Sequence, residues 1–306
     1  MALFRGGDRD KQESGETPAV VAVFGKHPSS REFYRINTSP TVREFDEWLG
    51  QALATCERVI DSWPKPYKRA PLVSFVYHAY STSRSLLGTL APSRDEQGRR
   101  YPLAVVAELD SVALADRYAG LPYLQFLADV QAGLSRRDEL TPEMLGFIPE
   151  RLVPPDGRAL QAAQDEHHAF VGGASCGQVL APLFADAPEG QLARALDNLR
   201  LFGQAMGGGR APRYGVRCPL GPAFGASVAG FWLDLVYHAT RAPVLPTALW
   251  TDRTLLVYCG RPSSKALAAL WRPGWQDDTV LDLASTSSGS TDQRPRNDQL
   301  LHTLLG

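Results

Sequence analysis

The chain has 306 residues, of which 44% are hydrophobic, and its formal net charge at pH 7 is −1. A chain of this length buries a sizeable core without a disulfide or metal staple, and its near-neutral charge argues against a broad electrostatic grip on nucleic acid. The four cysteines lie far apart without a CxxC pair, which is typical of a reducing cytosol; they are Cys56, Cys176, Cys218 and Cys259.

The first predicted elements are a polar tail, a strand and a helix. Residues 1–18 have almost nothing to bury and no apolar region of a signal peptide, so they are predicted to be a disordered tail. "AVVAVFGK" (19–26) predicts a buried strand that ends at a glycine. In residues 39–63 apolar side chains recur every three or four positions, which predicts a core-packing helix. Pro40 suits the first helical position after Ser39, and Thr41 with Glu44 is an alternative capping box.

The next part predicts three strands and a charged turn. The strands are "PLVSFVYHAY" (71–80), "SLLGTLAPS" (85–93) and "YPLAVVAEL" (101–109). Asp95 and Gly98 stand at the first and fourth positions of a type I turn, where Asp bonds its own backbone and Gly takes a positive φ. The stretch "RDEQGR" is therefore predicted to be the tip of a hairpin, followed by the returning strand.

The remaining elements are mostly helical. Helices are predicted over 112–136, 189–205 and 227–241, and the prolines and glycine of "LVPPDGR" (152–158) mark the best internal break. "TALWTDRTLLVYCGRP" predicts a hairpin that turns at Asp252–Arg253. A helix over about 263–271 and the strand "VLDLA" complete the pattern. Strand pairs alternating with helices predict an α/β fold, a mixed, partly antiparallel sheet covered by helices (an α/β sandwich).

The extent of the folded domain and the length of the apolar stretches indicate where the protein is located. A folded domain is predicted over 19–285, and the polar, low-complexity residues that follow predict a flexible tail over 286–306. The most apolar stretch, "FGASVAGFWLDLVYH", contains Asp234 and is too short to span a bilayer. We therefore expect a soluble cytoplasmic protein with no membrane insertion and no nucleic-acid partner.

The enzyme motifs that the sequence partly matches are mostly incomplete. Around Ser227, Ala229 replaces the second glycine of a nucleophile elbow, and the apolar spacing favours a buried helix. "FGKHPSS" lacks the upstream glycine of a phosphate loop, and "GGGR" (207–210) is more typical of a flexible loop than of a phosphate cradle. The histidines have no metal-binding spacing, so each is expected at the surface or half-buried. We expect no catalytic residue, no metal and no cofactor, and hence no enzyme.

Four stretches resemble the TagF (ImpM) family, proteins associated with bacterial type VI secretion. "FGKHPSSREFYRI" resembles F-G-K-x-P-x-x-G-D-F, with Arg31–Glu32 in place of Gly-Asp. Phe45, Asp46, Trp48 and Leu49 resemble F-x-x-W-D-x-W-L. "PSRDEQGRRYPL" is similar to P-S-x-D-x-x-G-R-x-F-P-L. "ALWTDRTLLVYCGRPSSKALAAL" resembles a later segment in which two tryptophans are common. The matched motif residues given structural roles are Gly25, Pro28, Phe33, Trp48, Asp95, Gly98, Pro102 and Trp250.

The resemblance is specific over 20–108 and weaker over 245–285, which leaves 110–240 as a divergent or inserted segment. It implies an α/β sandwich and a non-enzymatic cytoplasmic regulator that represses type VI secretion after translation. The implied partner is a type VI secretion regulatory protein, in some systems the forkhead-associated (Fha) scaffold.

Arginine and aromatic side chains dominate interface hot spots. We therefore predict a partner-binding surface, if the two loops meet in space, made of Lys26, Arg31, Arg99, Arg100 and Tyr101. Alternatively, Arg99 bonds Asp95 or a strand carbonyl and locks the hairpin. Two other functions stay open: a hydrolase or phosphate-binding enzyme that uses the Lys26 and Gly207–Gly209 loops, and a structural component of the secretion machine.

Overall fold

Nine strands in the described part of the chain form one sheet. The computed structural model describes residues 19–185, 187, 189–206, 214–221, 225–240, 245–272, 274–275, 277, 279–284 and 301–304. The strands are β1 (Val20–Gly25), β2 (Tyr34–Ile36), β3 (Val73–His78), β4 (Arg84–Ala91), β5 (Leu103–Asp110), β6 (Gly215–Pro219), β7 (Thr247–Trp250), β8 (Thr254–Tyr258) and β9 (Val280–Asp282). Their order is β2-β1-β5-β4-β3-β7-β8-β6-β9. Only β6 and β9 pair in parallel among these described strands. The predicted mixed, partly antiparallel sheet is confirmed.

Helices cover both faces of the sheet. The α-helices are α1 (Pro40–Val59), α2 (Pro64–Arg69), α3 (Ser111–Ala115), α4 (Gln125–Ser135), α5 (Pro142–Gly146), α6 (Ile148–Arg151), α7 (Gly157–Gly173), α8 (Cys176–Val179), α9 (Gln191–Met206), α10 (Gly225–Thr240) and α11 (Ala266–Trp271). Short 3₁₀-helices lie at Tyr118–Tyr123, Arg137–Glu139, Ala181–Phe184 and Leu301–Leu304. Within the described ranges, none of these helices has both the length and the apolar character that a membrane span requires.

The sheet separates two hydrophobic cores because side chains alternate across each strand. In β1, Val21 and Val23 face one core, whereas Ala22 and Phe24 face the other. The first core packs against α3, α4 and α7 to α10, and the second against α1, α2 and α11. The result is a three-layer α/β sandwich.

Helix α1 begins as the sequence predicts. The Ser39 hydroxyl accepts a hydrogen bond from the Val42 N–H at 3.1 Å, and Pro40 is the first helical residue. The alternative capping box with Glu44 does not form, because that carboxylate instead accepts hydrogen bonds from Tyr77, Tyr80 and Ser81.

The single helix predicted over 112–136 is wrong. Helix α3 ends at Ala115, a 3₁₀-helix follows, and α4 begins only at Gln125. Pro122 lies in the 3₁₀-helix and has no N–H to donate. Gly120 packs so closely on α7 that an added Cβ would lie 2.6 Å from the Gln164 nitrogen. The chain is therefore shaped by a helix contact that local periodicity does not reveal.

The predicted internal break and the predicted C-terminal tail can both be compared with the structure. Residues 152–156 connect α6 to α7, and 157–158 begin α7. Strands from both sides of this connection share the sheet through the β3–β7 pair. Residues 301–304 depart from the predicted flexible tail: Leu301 is buried and its N–H donates to the Ala174 carbonyl at 3.0 Å. Residues 1–18, 285–300 and the predicted 207–210 loop lie outside the described residues.

Candidate docking site

The predicted hairpin is confirmed, and its tip, residues 94–100, projects from β4 and β5. The Gly98 N–H donates to the Asp95 carbonyl at 2.9 Å, and Gly98 has a φ of +82°. Arg94 and Arg100 form an antiparallel bridge at the base of the tip. A positive φ is readily adopted only by glycine, which explains the residue found at position 98.

A buried carboxylate holds the tip together. Asp95 is 1% exposed and accepts hydrogen bonds from Lys26 Nζ at 2.9 Å, Arg99 Nε at 2.6 Å and the Arg99 N–H at 2.8 Å. Burial by itself raises the pKa of Asp95, but the hydrogen bonds from Lys26 and Arg99 outweigh it and hold the pKa far below its usual range. We call Lys26, Asp95 and Arg99 the ionic lock.

The β1–β2 loop, residues 26–33, meets the hairpin tip, as the predicted surface requires. Arg31 Nε lies 3.0 Å from Glu96 Oε2, and the Glu96 N–H donates to the Ser30 carbonyl at 3.0 Å. Arg99 Nη2 also donates to the Arg31 carbonyl at 3.0 Å. Of the two interpretations of Arg99, the contacts support the locking role.

Tyr101 ties the returning strand to α1. Its ring lies 5.0 Å from the ring of Phe33, and its hydroxyl donates to the carboxylate of Asp46. Burial and the Asp46 carboxylate both raise the pKa of Tyr101, so the phenol stays protonated. The Arg35 guanidinium lies 4.3 Å from the Phe33 ring centroid, which adds a cation–π contact. Tyr101 is half-buried, and its hydroxyl is engaged within the fold.

The motif residues Gly25 and Pro102 lie directly against each other. Gly25 has a φ of +121°, and an added Cβ would lie 1.9 Å from the Pro102 carbonyl oxygen. Because β1 and β5 pair at Gly25 and Leu103, this close approach fixes the hairpin next to the β1–β2 loop. Glycine is therefore required at position 25 by both conformation and space.

Two histidines are buried, contrary to the prediction from the sequence. His27 is 1% exposed, and its Nε2 lies 2.7 Å from the Arg137 carbonyl. His167 is also buried, with Nε2 2.8 Å from Asp234 Oδ2. The expectation that every histidine is at the surface or half-buried is wrong, because a carbonyl or carboxylate satisfies each buried ring.

The tip borders a cavity of about 550 Å³. Four cationic side chains and one carboxylate, Asp138, line it, together with the motif residue Pro28. We call it the cationic cavity, and its cations are Lys68, Arg94, Arg100 and Arg137. Sequence reasoning identified only Arg100 among them. Arg94 lies in the quoted motif stretch, next to Asp95, and could have been found from it. Lys68 and Arg137 carry no sequence signal.

The two motif tryptophans lie in the cores. Trp48 is 1% exposed and its Nε1 donates to the Pro262 carbonyl at 3.0 Å, which joins α1 to the "GRP" segment after β8. Trp250 is buried on β7 and borders a separate cavity of about 440 Å³. Both side chains are buried within the fold.

The stretch around Ser227 forms part of α10, a largely buried helix, as predicted. Asp234 on this helix lies between two histidines, 2.8 Å from His167 Nε2 and 2.9 Å from His238 Nδ1. Across the described ranges, no group of three or more His, Cys, Asp or Glu side chains is arranged to hold a metal ion. The Asp234 network joins α7 to α10.

Comparison with known proteins finds a family model that matches part of the chain. Residues 22–142 match the family model described as "TagF N-terminal domain, Type VI secretion system-associated", and the predicted resemblance is confirmed over these residues. The chain is similar to the crystal structure of PA0076 from Pseudomonas aeruginosa PAO1, with 16% identity, a TM-score of 0.48, and coverage of 90% of this chain and 99% of that one. No curated protein sequence matches the chain. The matched range contains the β1–β2 loop, the hairpin tip and the ionic lock.

Proposed function

We propose that this chain, a type VI secretion system-associated protein with a TagF N-terminal domain at residues 22–142, is a non-enzymatic cytoplasmic repressor of that secretion. It acts after translation by docking the hairpin tip and the β1–β2 loop onto a regulatory protein of the system. The forkhead-associated scaffold is the first candidate partner. The single observation that carries the proposal is an exposed basic surface fixed on an internally locked frame.

The frame is rigid before any partner binds. The ionic lock and the Tyr101–Asp46 hydrogen bond hold both loops to the sheet and to α1. A surface that is ordered in advance loses little conformational entropy on association. A tip that is held in this way can dock without first being ordered, and the exposed arginines supply the contacts with the partner.

The exposed cationic side chains lie on the outside of this frame, and Arg31 is paired there with Glu96. The Arg31 side chain is 67% exposed, and Arg94 and Arg100 are exposed without an ion pair among the described residues. Exposed arginines that become buried against a partner are typical interface hot spots. The predicted surface thus divides into binding residues, Arg31 and Arg100, and a supporting group with Lys26, Arg99 and Tyr101.

The enzyme alternative has less support from the same contacts. The Lys26 ammonium, which a phosphate-binding loop would present to its ligand, is 2.9 Å from Asp95 and largely buried. A lysine committed to an internal carboxylate is a poor phosphate ligand, so docking remains the better proposal.

A direct binding measurement tests the proposal. Biolayer interferometry measures the affinity of the purified chain for the purified forkhead-associated scaffold. The wild type is compared with Arg31→Ala and Arg100→Ala. We expect each variant to bind about tenfold or more weakly. Arg253→Ala is the matched control, since its side chain is 87% exposed on the β7–β8 hairpin. Arg99→Glu is unsuitable, because it places a second carboxylate beside Asp95.

A secretion assay tests the repressor role. Overproduction of the wild-type chain in its bacterium should lower the release of type VI components into the medium, and equal amounts of Arg31→Ala should lower it less. Equal repression by both, or no binding of the wild-type chain to type VI regulatory proteins, would reject docking through this surface.

A further inference from the structure

The cationic cavity collects positive charge that the fold does not neutralise. Lys68, Arg94 and Arg100 are exposed, and none forms an ion pair with the residues that the structure describes. Asp138 is the only carboxylate in the described lining. Four like charges around one concave surface repel one another, so an anion bound there would relieve the repulsion.

One of the four cations is fixed in place. Arg137 Nε donates to the Pro92 carbonyl at 2.8 Å, and its Nη1 donates to the Leu134 carbonyl at 3.2 Å. These bonds link the cavity wall to α4 and to the end of β4. A guanidinium that is anchored in this way loses less freedom when it binds a ligand.

The wall of the cavity also contains an unsatisfied hydroxyl. Ser93 is 7% exposed, and its Oγ has no hydrogen-bond partner among the described residues. The Tyr67 hydroxyl fixes the Ser93 backbone, accepting from its N–H at 3.0 Å and donating to its carbonyl at 2.9 Å. A buried hydroxyl is rarely left unpaired, and Ser93 is one of the residues that line the cavity.

We infer that the cationic cavity binds the phosphoryl group of a phosphoserine or phosphothreonine on the docking partner. The inference deepens the proposed docking function and rests on it. A phosphate monoester carries close to two negative charges and three acceptor oxygens at pH 7, which suits several arginines. A carboxylate brings one charge and two oxygens, and it would leave more of the four cations unneutralised.

A protein-borne phosphate fits better than a nucleotide. The cavity is continuous with the docking surface, because Gly98 and Arg100 belong to both. The one aromatic residue of the described lining, Tyr67, is 3% exposed and packs against Trp63 and Trp271. Its ring is therefore not available to stack a base.

Calorimetric titration of the full chain tests the inference. The probes are a short neutral peptide with one phosphoserine, the same peptide with serine or glutamate at that position, inorganic phosphate, and AMP. We expect the phosphopeptide to bind wild type and Arg253→Ala equally, and the Arg94→Ala, Arg100→Ala double variant about tenfold or more weakly. Lys68→Ala is a second, single-site variant, and thermal melting confirms that each variant is folded.

Each contrary result has a defined meaning. No phosphopeptide binding by wild type, equal binding of the glutamate peptide, or equal binding by the double variant would overturn the phosphoryl site. Tighter binding of AMP or inorganic phosphate than of the phosphopeptide would overturn the protein source. Scaffold binding that is lost in Arg31→Ala shows docking independently, because Arg31 is outside the described cavity lining. Docking can therefore survive the failure of this inference.

Discussion

Replacing Asp95 with Asn isolates the charge of the ionic lock. An asparagine keeps the shape of the side chain and an oxygen that can accept from the Arg99 N–H, now 2.8 Å from Asp95 Oδ1. It also suits the first position of the turn. What it removes is the negative charge that faces Lys26 Nζ at 2.9 Å and Arg99 Nε at 2.6 Å.

The expected cost follows from the exposure of the three side chains. Removing one partner of a buried ion pair destabilises a protein by about 3–5 kcal/mol. Here the Asp95 side chain is 0% exposed, but Lys26 and Arg99 are 16% and 57% exposed and can regain water. We therefore expect Asp95→Asn to lower the free energy of unfolding by about 2–3 kcal/mol. At about 2–4 °C per kcal/mol, the Tm falls by about 4–12 °C.

Thermal melting followed by circular dichroism measures this change. The control is Glu96→Gln, since the Glu96 and Arg31 side chains are 52% and 67% exposed. Such a surface pair contributes less than about 1 kcal/mol, so Glu96→Gln should shift the Tm by only a few degrees. An Asp95→Asn variant that melts with the wild type would refute the lock as a source of stability.

The pH dependence provides a second check. The pKa of Asp95 is lower in the folded chain than in the unfolded chain, where it is about 3.9. Asp95 therefore contributes its full share of the stability above its unfolded pKa. This share is lost as the pH falls from the unfolded pKa towards the folded pKa. The Tm difference between wild type and Asp95→Asn should be constant from pH 7 to about pH 5 and shrink below about pH 4. A difference that grew on acidification would contradict the assigned shift.

Three further predictions concern backbone and thiols. Gly25→Ala forces a Cβ to within 1.9 Å of the Pro102 carbonyl oxygen, so we expect a loss of about 3 kcal/mol or more, seen as low soluble yield and a reduced Tm. Gly98→Val has open space around it, so only its φ of +82° opposes the substitution, and the urea midpoint should report a loss of more than about 1 kcal/mol. Burial raises the pKa of Cys56 to about 12 and also raises that of the other three thiols. Iodoacetamide at pH 8 should then label none of them in the folded chain and all four in urea, as mass spectrometry would show.

The parts of the fold that the sequence predicts correctly depend on neighbouring residues. Ser39 and Pro40 start α1 through a cap within one helical turn. Asp95 and Gly98 form the tip through a bond between residues three apart. Such signals are local, so composition and spacing are enough to detect them.

The parts that escape prediction depend on distant contacts. Lys26 reaches Asp95 across 69 positions of sequence because β1 and β5 pair side by side. Arg137 reaches the Pro92 carbonyl across 45 positions, which is how a cation from beyond α4 enters the cavity. Lys26 and Asp95 each belong to a quoted motif, but neither motif indicates that the two residues pair, and Arg137 belongs to no motif. Each contact follows only from the order of strands and helices. Arg99 combines both kinds of contact, since Asp95 lies 4 positions away and the Arg31 carbonyl lies 68 positions away.

The motif residues of the hairpin support the proposed docking surface more than they form it. Gly25 and Pro102 fix the approach of β1 and β5, and Asp95 with Gly98 shapes the turn. In the pattern P-S-x-D-x-x-G-R-x-F-P-L, by contrast, the exposed arginines at 94 and 100 fall on unspecified positions. A chain that matches this pattern is thus expected to share the frame. Under the docking proposal, we expect the side chains at the unspecified positions to determine which partner is bound. Under the same proposal, the chemistry of the partner is inferred from the cations that this chain places at those positions.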